Sequence, residues 1–517
     1  MKTMHLLSKP IPVALRLVFL FFCMAALWSG CGSRVGGEEK NYAECAGCHQ
    51  GIESISPNHG MPCTDCHLPG KIREELENSS GPGILSSHRE IIRNPSDPAH
   101  WRDFCLPCHQ DEIQALENSL HGSMAGVINQ TRYLWGAQER AAPAIYGLSG
   151  PFEPLPEANP EVYPDSPDLL VDDFLRRRCL RCHLHTSGAR GAGLYRASGC
   201  AACHVIYHND GRYRGADTSL NRSEGGHPAR HAFTRFIPNE QCLHCHHGNR
   251  VGADYEGLFQ HDFHRTYRSP RPKGQPPPRL YGLDHHRLAR DIHAEKGLMC
   301  IDCHTKEHIM GDGSAPSHAL ENPRISCEGC HGGFHGPARP QRREGLLVSS
   351  SGAVVISGKQ HQRHPVPPFT KAPVPHQIEA HSGVRCSACH SLWAFQDYGM
   401  SVIREDVLEG YKWYFLSAQG DPSLEETLRN HLEHGGKSFP SSKDWISGEK
   451  RPGIWSVGWR FRRWEFMPLG VDHSGRVAVF RPFYQYLVSY VDRLGQAALD
   501  SKGPQRGGNS GKGGAFS

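Results

Sequence analysis

The sequence contains 517 residues with a formal net charge of +4 at pH 7. Its hydrophobic fraction is only 38%, its mean hydropathy is −0.53, and it carries 56 glycines and 38 prolines. This composition excludes an ordinary large apolar core and indicates a loop-rich chain that needs another source of apolar packing. The basic residues form no single patch, so we expect no nucleic-acid partner.

The first residues have the pattern of an export signal. Two lysines precede an apolar run over residues 17–28, which is too short to remain as a membrane-spanning helix. A Ser-Gly-Cys sequence ending at Cys31 resembles the end of a bacterial lipobox, although Trp28 stands where Leu is usual. We predict a signal peptide over residues 1–30, lipidation of Cys31 and a flexible tether over residues 31–41, with cleavage and plain secretion as the alternative. The expected location is the periplasmic side of a membrane or the outer-membrane surface.

Eighteen of the 20 cysteines fall into nine Cys-x-x-Cys-His motifs. Two thiols at this spacing add to the vinyl groups of one porphyrin and the adjacent His binds the iron, which is the pattern of covalently attached haem c. Paired Cys-x-x-Cys units also build zinc sites, and cysteines also form disulfides, but neither requires a His directly after the second Cys. Because only 35 of the 517 residues are His, nine chance occurrences are improbable. The sequence therefore predicts nine haem c groups.

The motifs are numbered 1 to 9 in chain order. The predicted attachment residues are Cys45, Cys48, Cys63, Cys66, Cys105, Cys108, Cys179, Cys182, Cys200, Cys203, Cys242, Cys245, Cys300, Cys303, Cys327, Cys330, Cys386 and Cys389. The predicted proximal iron ligands are His49, His67, His109, His183, His204, His246, His304, His331 and His390. In each set of three motifs, two lie close together and the third follows a longer gap, which suggests three related trihaem units over residues 42–135, 179–268 and 281–395.

A second imidazole on the far side of each iron would make the haem six-coordinate and low-spin. The chain has enough histidines for this, because only nine of its 35 lie in the motifs. The candidate distal ligands stand mostly just before a motif or in a His-Gly turn. They are His59, His100, His121, His231, His264, His293, His308, His318 and His381, with His335 and His376 behind them. The sequence does not assign a distal ligand to a particular haem, and it leaves open whether one haem lacks one.

Proline-rich stretches separate the motifs. Residues 136–178 are predicted to form a linker or a strap over the haem surface. Further proline-rich breaks occupy residues 269–278 and 336–375.

Residues 396–500 contain no haem motif and are expected to form a small region of helices and β-hairpins. The sequence predicts one helix over residues 404–416. A second helix is predicted to start at the capping-box sequence of residues 423–426 and to end near Gly435.

Aromatic and β-branched residues between 455 and 491 surround a turn sequence at residues 472–475, which predicts a hairpin. This hairpin either docks a partner or forms a lid over the last haem, and the lid is favoured because aromatic strand faces are usually core. The Gly/Ser-rich tail over residues 501–517 is predicted to be disordered.

Several segments resemble bacterial multihaem cytochromes c. They are residues 237–246, 250–257, 291–304, 310–313 and 327–332, and the likeness extends over about residues 237–395. The group includes octahaem tetrathionate reductases, hydroxylamine oxidoreductase-like proteins and respiratory electron-transfer cytochromes. The resemblance implies a multihaem cytochrome c fold, loop-rich with short α-helices wrapped around stacked haems, and here followed by a small α+β C-terminal region.

We expect this chain to relay electrons in anaerobic or extracellular respiration. The alternative is a multihaem reductase of a small nitrogen or sulfur oxyanion with one five-coordinate haem, and a third possibility is a haem-bearing structural subunit. The expected partners are redox proteins or a soluble or extracellular acceptor, a membrane reached through the N-terminal lipid, and an outer-membrane porin. No catalytic residue is predicted, because the resemblance fixes haem chemistry better than it fixes a substrate.

Overall fold

A computed structural model describes residues 45–70, 91–157, 166–248, 252–260, 279–319, 321, 325–338, 346–348, 354–357, 363–392, 396–399, 401–409, 419–457, 460–463, 467–480, 483–484 and 487–502. All nine motifs fall within these ranges. The predicted signal peptide and tether, the lipidation site Cys31, the candidate ligand His264 and the tail beyond residue 502 lie outside them.

Most described helices are single turns. In chain order they are α1 (Cys63–His67), α2 (Trp101–Phe104), α3 (Leu106–Asn118), α4 (Leu120–Ser123), α5 (Ala125–Leu134), α6 (Pro167–Arg177), α7 (Ala201–His204), α8 (Asn239–Leu243), α9 (Ile292–Glu295), α10 (Cys300–Cys303), α11 (Lys306–Met310), α12 (Cys327–His331), α13 (Cys386–His390) and α14 (Pro422–His434). Residues 45–48 are also helical. Short 3-10 turns span Pro98–His100, Cys179–Cys182, Ala253–Glu256, Val374–Gln377 and Glu379–Gly383.

The strands form small separate sheets. They are β1 (Tyr146–Gly147), β2 (Glu153–Pro154), β3 (Leu258–Gln260), β4 (Arg279–Leu280), β5 (Leu283–Arg287), β6 (Leu346–Val348), β7 (Val354–Ser357), β8 (Arg363–Pro365), β9 (Gln396–Gly399), β10 (Ser401–Glu405), β11 (Leu408–Glu409), β12 (Lys437–Ser438), β13 (Ser441–Lys443), β14 (Lys450–Pro452), β15 (Ile454–Val457), β16 (Arg460–Arg463), β17 (Leu469–Val471), β18 (Val477–Val479), β19 (Phe483–Tyr484), β20 (Leu487–Val491) and β21 (Ala497–Lys502). The largest described sheet has the order β15-β10-β20-β21, in which β10 runs antiparallel to β15 and parallel to β20.

The largest apolar cluster of the described residues joins helices α5 and α6 to this four-stranded sheet. Leu170 and Leu175 of α6 and Ile128 of α5 are completely buried, and they belong to the same cluster as Trp455 and Tyr490 from the sheet. Burying one such side chain contributes roughly 1.5–3 kcal/mol. The core of the molecule away from the motifs therefore lies between these two helices and the C-terminal sheet.

Helix α6 also buries charged residues against the sheet. The Asp173 carboxylate accepts hydrogen bonds from the indole of Trp455 at 2.7 Å and from the guanidinium of Arg404 at 3.3 Å. This helix lies within residues 136–178, for which the sequence predicted a linker or strap. In the structure that segment supplies the helix to which the C-terminal sheet is anchored.

The prediction of a helix over residues 404–416 is wrong for the part of this range that the structure describes. Residues 401–405 form β10 and residues 408–409 form β11, while residues 410–418 lie outside the described residues. β10 is a central strand that pairs on both sides, and Val402 is completely buried on it. Its β-branched residues favour a strand in such a position, so tertiary pairing decided the structure here.

Two further predictions for the C-terminal region are confirmed. The predicted short helix is α14, which ends at His434 just before Gly435, although its N-cap is Asp421, whose carboxylate accepts the N–H groups of Ser423 and Leu424. The predicted hairpin is formed by β17 and β18 around the turn at residues 472–475.

Candidate haem centres

Each motif needs its two thiols and its imidazole on one side of the backbone. A helical turn provides this arrangement, because residues three and four positions apart lie on the same face of a helix. The two cysteines of a motif are three residues apart, and the His follows four residues after the first Cys. Helices α1, α12 and α13 each span one whole motif from its first Cys to its His. The local fold therefore suits a group that is held by all three side chains.

Thiols of different motifs lie next to each other. The pairs within hydrogen-bonding contact are Cys45 with Cys63, Cys182 with Cys245, Cys242 with Cys300, and Cys327 with Cys386. Electrostatic interaction also joins Cys66 to Cys105, Cys105 to Cys200, and Cys203 to Cys245. No disulfide bond joins the described cysteines. Each pair links two motifs, so the pairs identify which motifs are neighbours in space.

These neighbours define an order that differs from the order along the chain. Motifs 1, 2, 3, 5, 6 and 7 follow one another, and motif 4 joins the series at motif 6. Motif 8 adjoins motif 9, and His293, which stands just before motif 7, lies beside His331 of motif 8. Motifs 1 to 7 thus form one connected series with a single branch, and motifs 8 and 9 form a pair that His293 contacts from just before motif 7. The contacts within the series cross the borders of the predicted trihaem units.

Histidine rings form pairs with a characteristic separation. Two imidazoles that bind one metal ion from opposite sides have ring centres roughly 6 Å apart, because each metal–nitrogen bond is about 2 Å long and each ring centre lies about 1 Å beyond its nitrogen. Five pairs of described rings from residues at least 14 positions apart fit this separation, and each combines one motif His with one His from elsewhere. They are His67 with His231 at 6.0 Å, His109 with His59 at 6.0 Å, His246 with His121 at 6.1 Å, His331 with His293 at 6.3 Å, and His390 with His376 at 6.0 Å.

In two of these pairs, both rings are held through the same nitrogen. The Nδ1 atom of His67 donates to the carbonyl oxygen of Ile92 at 2.8 Å, and Nδ1 of His231 donates to that of Glu53 at 2.9 Å. Hydrogen bonding at Nδ1 fixes the tautomer and the ring orientation and leaves Nε2 to bind a metal. The second of these pairs is at motif 8, where hydrogen bonds also hold the Nδ1 atoms of both rings.

At motif 8, Nδ1 of His331 donates to the carbonyl of Pro367 at 2.7 Å, and Nδ1 of His293 donates to the carboxylate of Asp291 at 2.8 Å. Distal candidates at other motifs follow the pattern. Nδ1 of His121 donates to a main-chain carbonyl at 3.1 Å, and so does Nδ1 of His376 at 2.8 Å. Two facing imidazole rings that are each held at Nδ1 suit the two ligands of one iron. A zinc site built from thiolates does not require such a pair.

Burial favours the neutral form of several of these imidazoles, and the neutral form is the one that binds a metal. Burial lowers the pKa of His67, and it lowers the pKa of His121 to about 4. Burial likewise lowers the pKa of His304, the proximal residue of motif 7, to about 4. His293 differs, because its hydrogen bond to Asp291 raises its pKa.

Motif 4 is the most deeply buried. Its His183 is 5% exposed, and its Nε2 atom is buried without a hydrogen-bond partner in the described part of the chain. Burial lowers the pKa of His183 to about 3. A buried, unsatisfied ring nitrogen costs free energy unless a further group binds it. This nitrogen is the one that a haem iron would occupy.

His308 takes a different position from the paired candidates. Its Nδ1 atom lies 2.7 Å from Nδ1 of His304, and the ring centres are only 4.7 Å apart. This separation is too small for an iron between the two rings. As placed, His308 is a hydrogen-bond partner of the motif 7 ligand and not its opposite ligand.

Three other predicted distal ligands lie in the described chain. The ring of His100 lies 6.1 Å from that of Phe104, Nε2 of His318 lies 3.5 Å from a carboxylate oxygen of Glu321, and Nδ1 of His381 donates to the carbonyl of Pro375 at 2.8 Å. Among the candidates from the sequence, His376 stood behind His381. The structure instead brings His376 to His390, since the 3-10 turn Val374–Gln377 carries it there.

Comparisons of the chain with protein-family models, with curated proteins and with solved structures give no match. Among the residues that the structure describes, no group of three or more His, Cys, Asp or Glu side chains could hold a metal ion unaided. No helix in the described ranges has both the length and the apolar character to cross a membrane.

Proposed function

We propose that the chain binds nine haem c groups and relays electrons along them. The observation that carries this proposal is the set of five His pairs, because each brings a motif His within 6.0–6.3 Å of a His that is distant in sequence. Chance packing of histidines would not select one member from a motif every time. Low-spin haem with two imidazole ligands changes its oxidation state without binding or releasing a ligand.

The chain would hold each haem through the two cysteines of one motif and the His that follows. At motifs 2, 3, 6, 8 and 9 the second ligands would be His231, His59, His121, His293 and His376. When bound, the iron supplies a one-electron Fe(III)/Fe(II) couple. The anchored Nδ1 atoms keep the rings in place in both oxidation states, so the protein has little rearrangement to make.

The connected order of the motifs supports a relay. Thiols of motifs 1 and 2 and of motifs 6 and 7 are in contact, and electrostatic interactions between thiols join motifs 2, 3, 5 and 6 in that order. A continuous series is what transfer from one end of the molecule to the other needs. Motif 4 lies beside motif 6 as a side branch, so electrons can pass from motif 5 to motif 7 without it.

The relay is proposed to work outside the cytoplasmic membrane, because covalent haem attachment and the Cys31 lipobox both imply export. Its partners would be redox proteins, a soluble or extracellular acceptor, or an outer-membrane porin. Conversion of Cys31 to Ala should abolish labelling by palmitate, and labelling that persists would contradict a lipid anchor.

The reductase alternative requires one haem with an open coordination position. Purified protein should contain nine haems per chain by pyridine haemochrome and by mass, and its EPR spectrum should show low-spin signals only. A high-spin signal from one haem, together with turnover of nitrite, hydroxylamine or tetrathionate, would favour the reductase. Zinc without haem would refute both proposals.

The distal assignments can be tested at motif 2. His231→Ala removes the ligand opposite His67, so one haem should become high-spin while the haem count stays at nine. His434→Ala is the matched control, because its Nδ1 only donates to a carbonyl of its own helix. Nine low-spin haems in His231→Ala would show that the second ligand lies elsewhere.

A further inference from the structure

The motif 1 ligand has a different hydrogen-bond acceptor from other proximal ligands. Nδ1 of His49 lies 2.7 Å from a carboxylate oxygen of Asp217, whose side chain is completely buried. By contrast, Nδ1 of His67, His204 and His331 each donate to a main-chain carbonyl. The motif 1 ligand is therefore in contact with a buried carboxylate from a segment far away in sequence.

Local hydrogen bonds fix the orientation of this carboxylate. The second oxygen of Asp217 accepts from the hydroxyl of Ser219 at 2.7 Å and from its main-chain N–H at 2.8 Å. The Ser219 hydroxyl also lies 2.9 Å from Nδ1 of His49. The group is thus a carboxylate that is directed at the ligand.

The segment that carries Asp217 is itself attached to the chain between motifs 1 and 2. The Glu53 carboxylate accepts hydrogen bonds from the hydroxyl of Tyr213 at 2.8 Å and from the N–H of Ala216 at 3.1 Å. The carbonyl of Glu53 in turn accepts Nδ1 of His231, the proposed second ligand at motif 2. The position of Asp217 is therefore set by the same residues that hold the neighbouring centre.

We propose that Asp217 gives the first centre the most negative reduction potential of the series, so that electrons enter the relay at motif 1. This inference rests on the proposed haem relay and adds a direction to it. A carboxylate that accepts a hydrogen bond from the ligand increases the negative charge on the imidazole. This charge stabilises Fe(III) relative to Fe(II). The effect is strong because the charge is buried, where water screens it little.

Asp291 provides a comparison within the chain. It accepts Nδ1 of His293 at 2.8 Å, but its side chain is 45% exposed. Water screens an exposed charge, so its effect on the centre at motif 8 is smaller. Downhill transfer then runs from motif 1 towards motifs 8 and 9.

The test uses the full-length, haem-loaded protein and spectroelectrochemical titration. Cys45→Ala with Cys48→Ala removes the first haem, and the most negative component of the titration should vanish with it. Asp217→Asn should move that component to a less negative potential. The ratio of reduced to oxidised haem at a fixed potential should rise at least tenfold, which is about 59 mV for one electron. Asp210→Asn is the matched control, because Asp210 lies in the same segment and pairs with Arg214 at the surface.

Two results would overturn the assignment while leaving the nine-haem relay intact. One is survival of the most negative component in the double Cys variant, and the other is an unshifted component in Asp217→Asn. Haem counting by mass on every variant separates these results from a failure of the relay proposal. If Asp217→Asn assembles fewer than nine haems, Ser219→Ala decides, since it removes a hydrogen bond to the same carboxylate and should shift the same component, and an unshifted titration would refute the role of this group.

Discussion

Asp421 joins the haem-free C-terminal region to motif 4, and its contribution to stability should depend on pH. One of its carboxylate oxygens lies 2.9 Å from the guanidinium of Arg178 and 3.1 Å from that of Arg181. Arg178 precedes Cys179, and Arg181 lies between the two cysteines of the motif. The same carboxylate caps helix α14. One side chain therefore holds a helix end and two arginines of motif 4, one just before it and one inside it.

The size of this contribution to the folding free energy follows from the pKa of the Asp421 carboxyl. Burial raises it, but the two arginines and the capped N–H groups outweigh burial and lower the pKa of Asp421 from 3.8 to about 2. A shift of this size corresponds to about 2–3 kcal/mol of folding free energy. Because the folded state has the lower pKa, the contribution is complete above about pH 5 and is lost as the pH falls from about 4 to about 2. Asp421→Asn should remove it and keep the shape of the cap.

The assay is denaturant unfolding followed by circular dichroism at constant ionic strength between pH 7 and pH 2. At pH 7 the Asp421→Asn variant should be less stable than wild type by about 2–3 kcal/mol, and the two should converge towards pH 2. Glu433→Gln, an exposed change on the same helix, serves as the control. A difference between wild type and Asp421→Asn that stays constant over the whole range would refute the reasoning.

Three further predictions can be measured directly. Asp173→Asn removes a carboxylate that pairs with the buried guanidinium groups of Arg177 and Arg404, so it should cost about 3–5 kcal/mol and speed hydrogen exchange in the strand that contains Trp455 by at least about a hundredfold; exchange as slow as in wild type would contradict this. His376→Ala should convert one haem to high spin without changing the haem count, and His381→Ala should not; the reverse result would exchange their roles. Reduction by a weak donor should be faster in Asp217→Asn than in wild type if electrons enter at motif 1, because a less negative first centre accepts an electron more readily, and equal rates would argue against that direction.

The sequence could predict the local geometry of each motif but not how the motifs are arranged. The motif spacing is local, and one helical turn brings Cys63, Cys66 and His67 to one face without help from the rest of the chain. A distal ligand depends instead on how distant loops meet. His121 and His246 are 125 residues apart in the numbering, and their rings come within 6.1 Å because of tertiary packing. No pattern within either segment contains that information.

The carboxylate beside motif 1 was beyond sequence reasoning for the same reason. Asp217 lies 168 residues from His49 along the chain, and no metal-ligand spacing connects them. The strand at residues 401–405 was missed for a related reason, because its partners β15 and β20 lie far along the chain. Local signals were sufficient where the stabilising contacts are local, as in helix α14 and in the turn at residues 472–475.

The C-terminal hairpin contacts the last two motifs of the chain. Its Asp472 carboxylate accepts from the guanidinium of Arg385 at 2.6 Å, directly before motif 9, and Arg476 donates to Glu328 within motif 8 at 2.8 Å. The main chain of Val477 also accepts the N–H of Arg385 at 2.8 Å. Two roles were expected for this hairpin, a lid and a docking surface for a partner. These contacts favour the lid, which would fix motifs 8 and 9. Because both motif helices are single turns with little intrinsic stability, their geometry depends on the lid, and loss of the hairpin should disturb the centres at motifs 8 and 9 before any other.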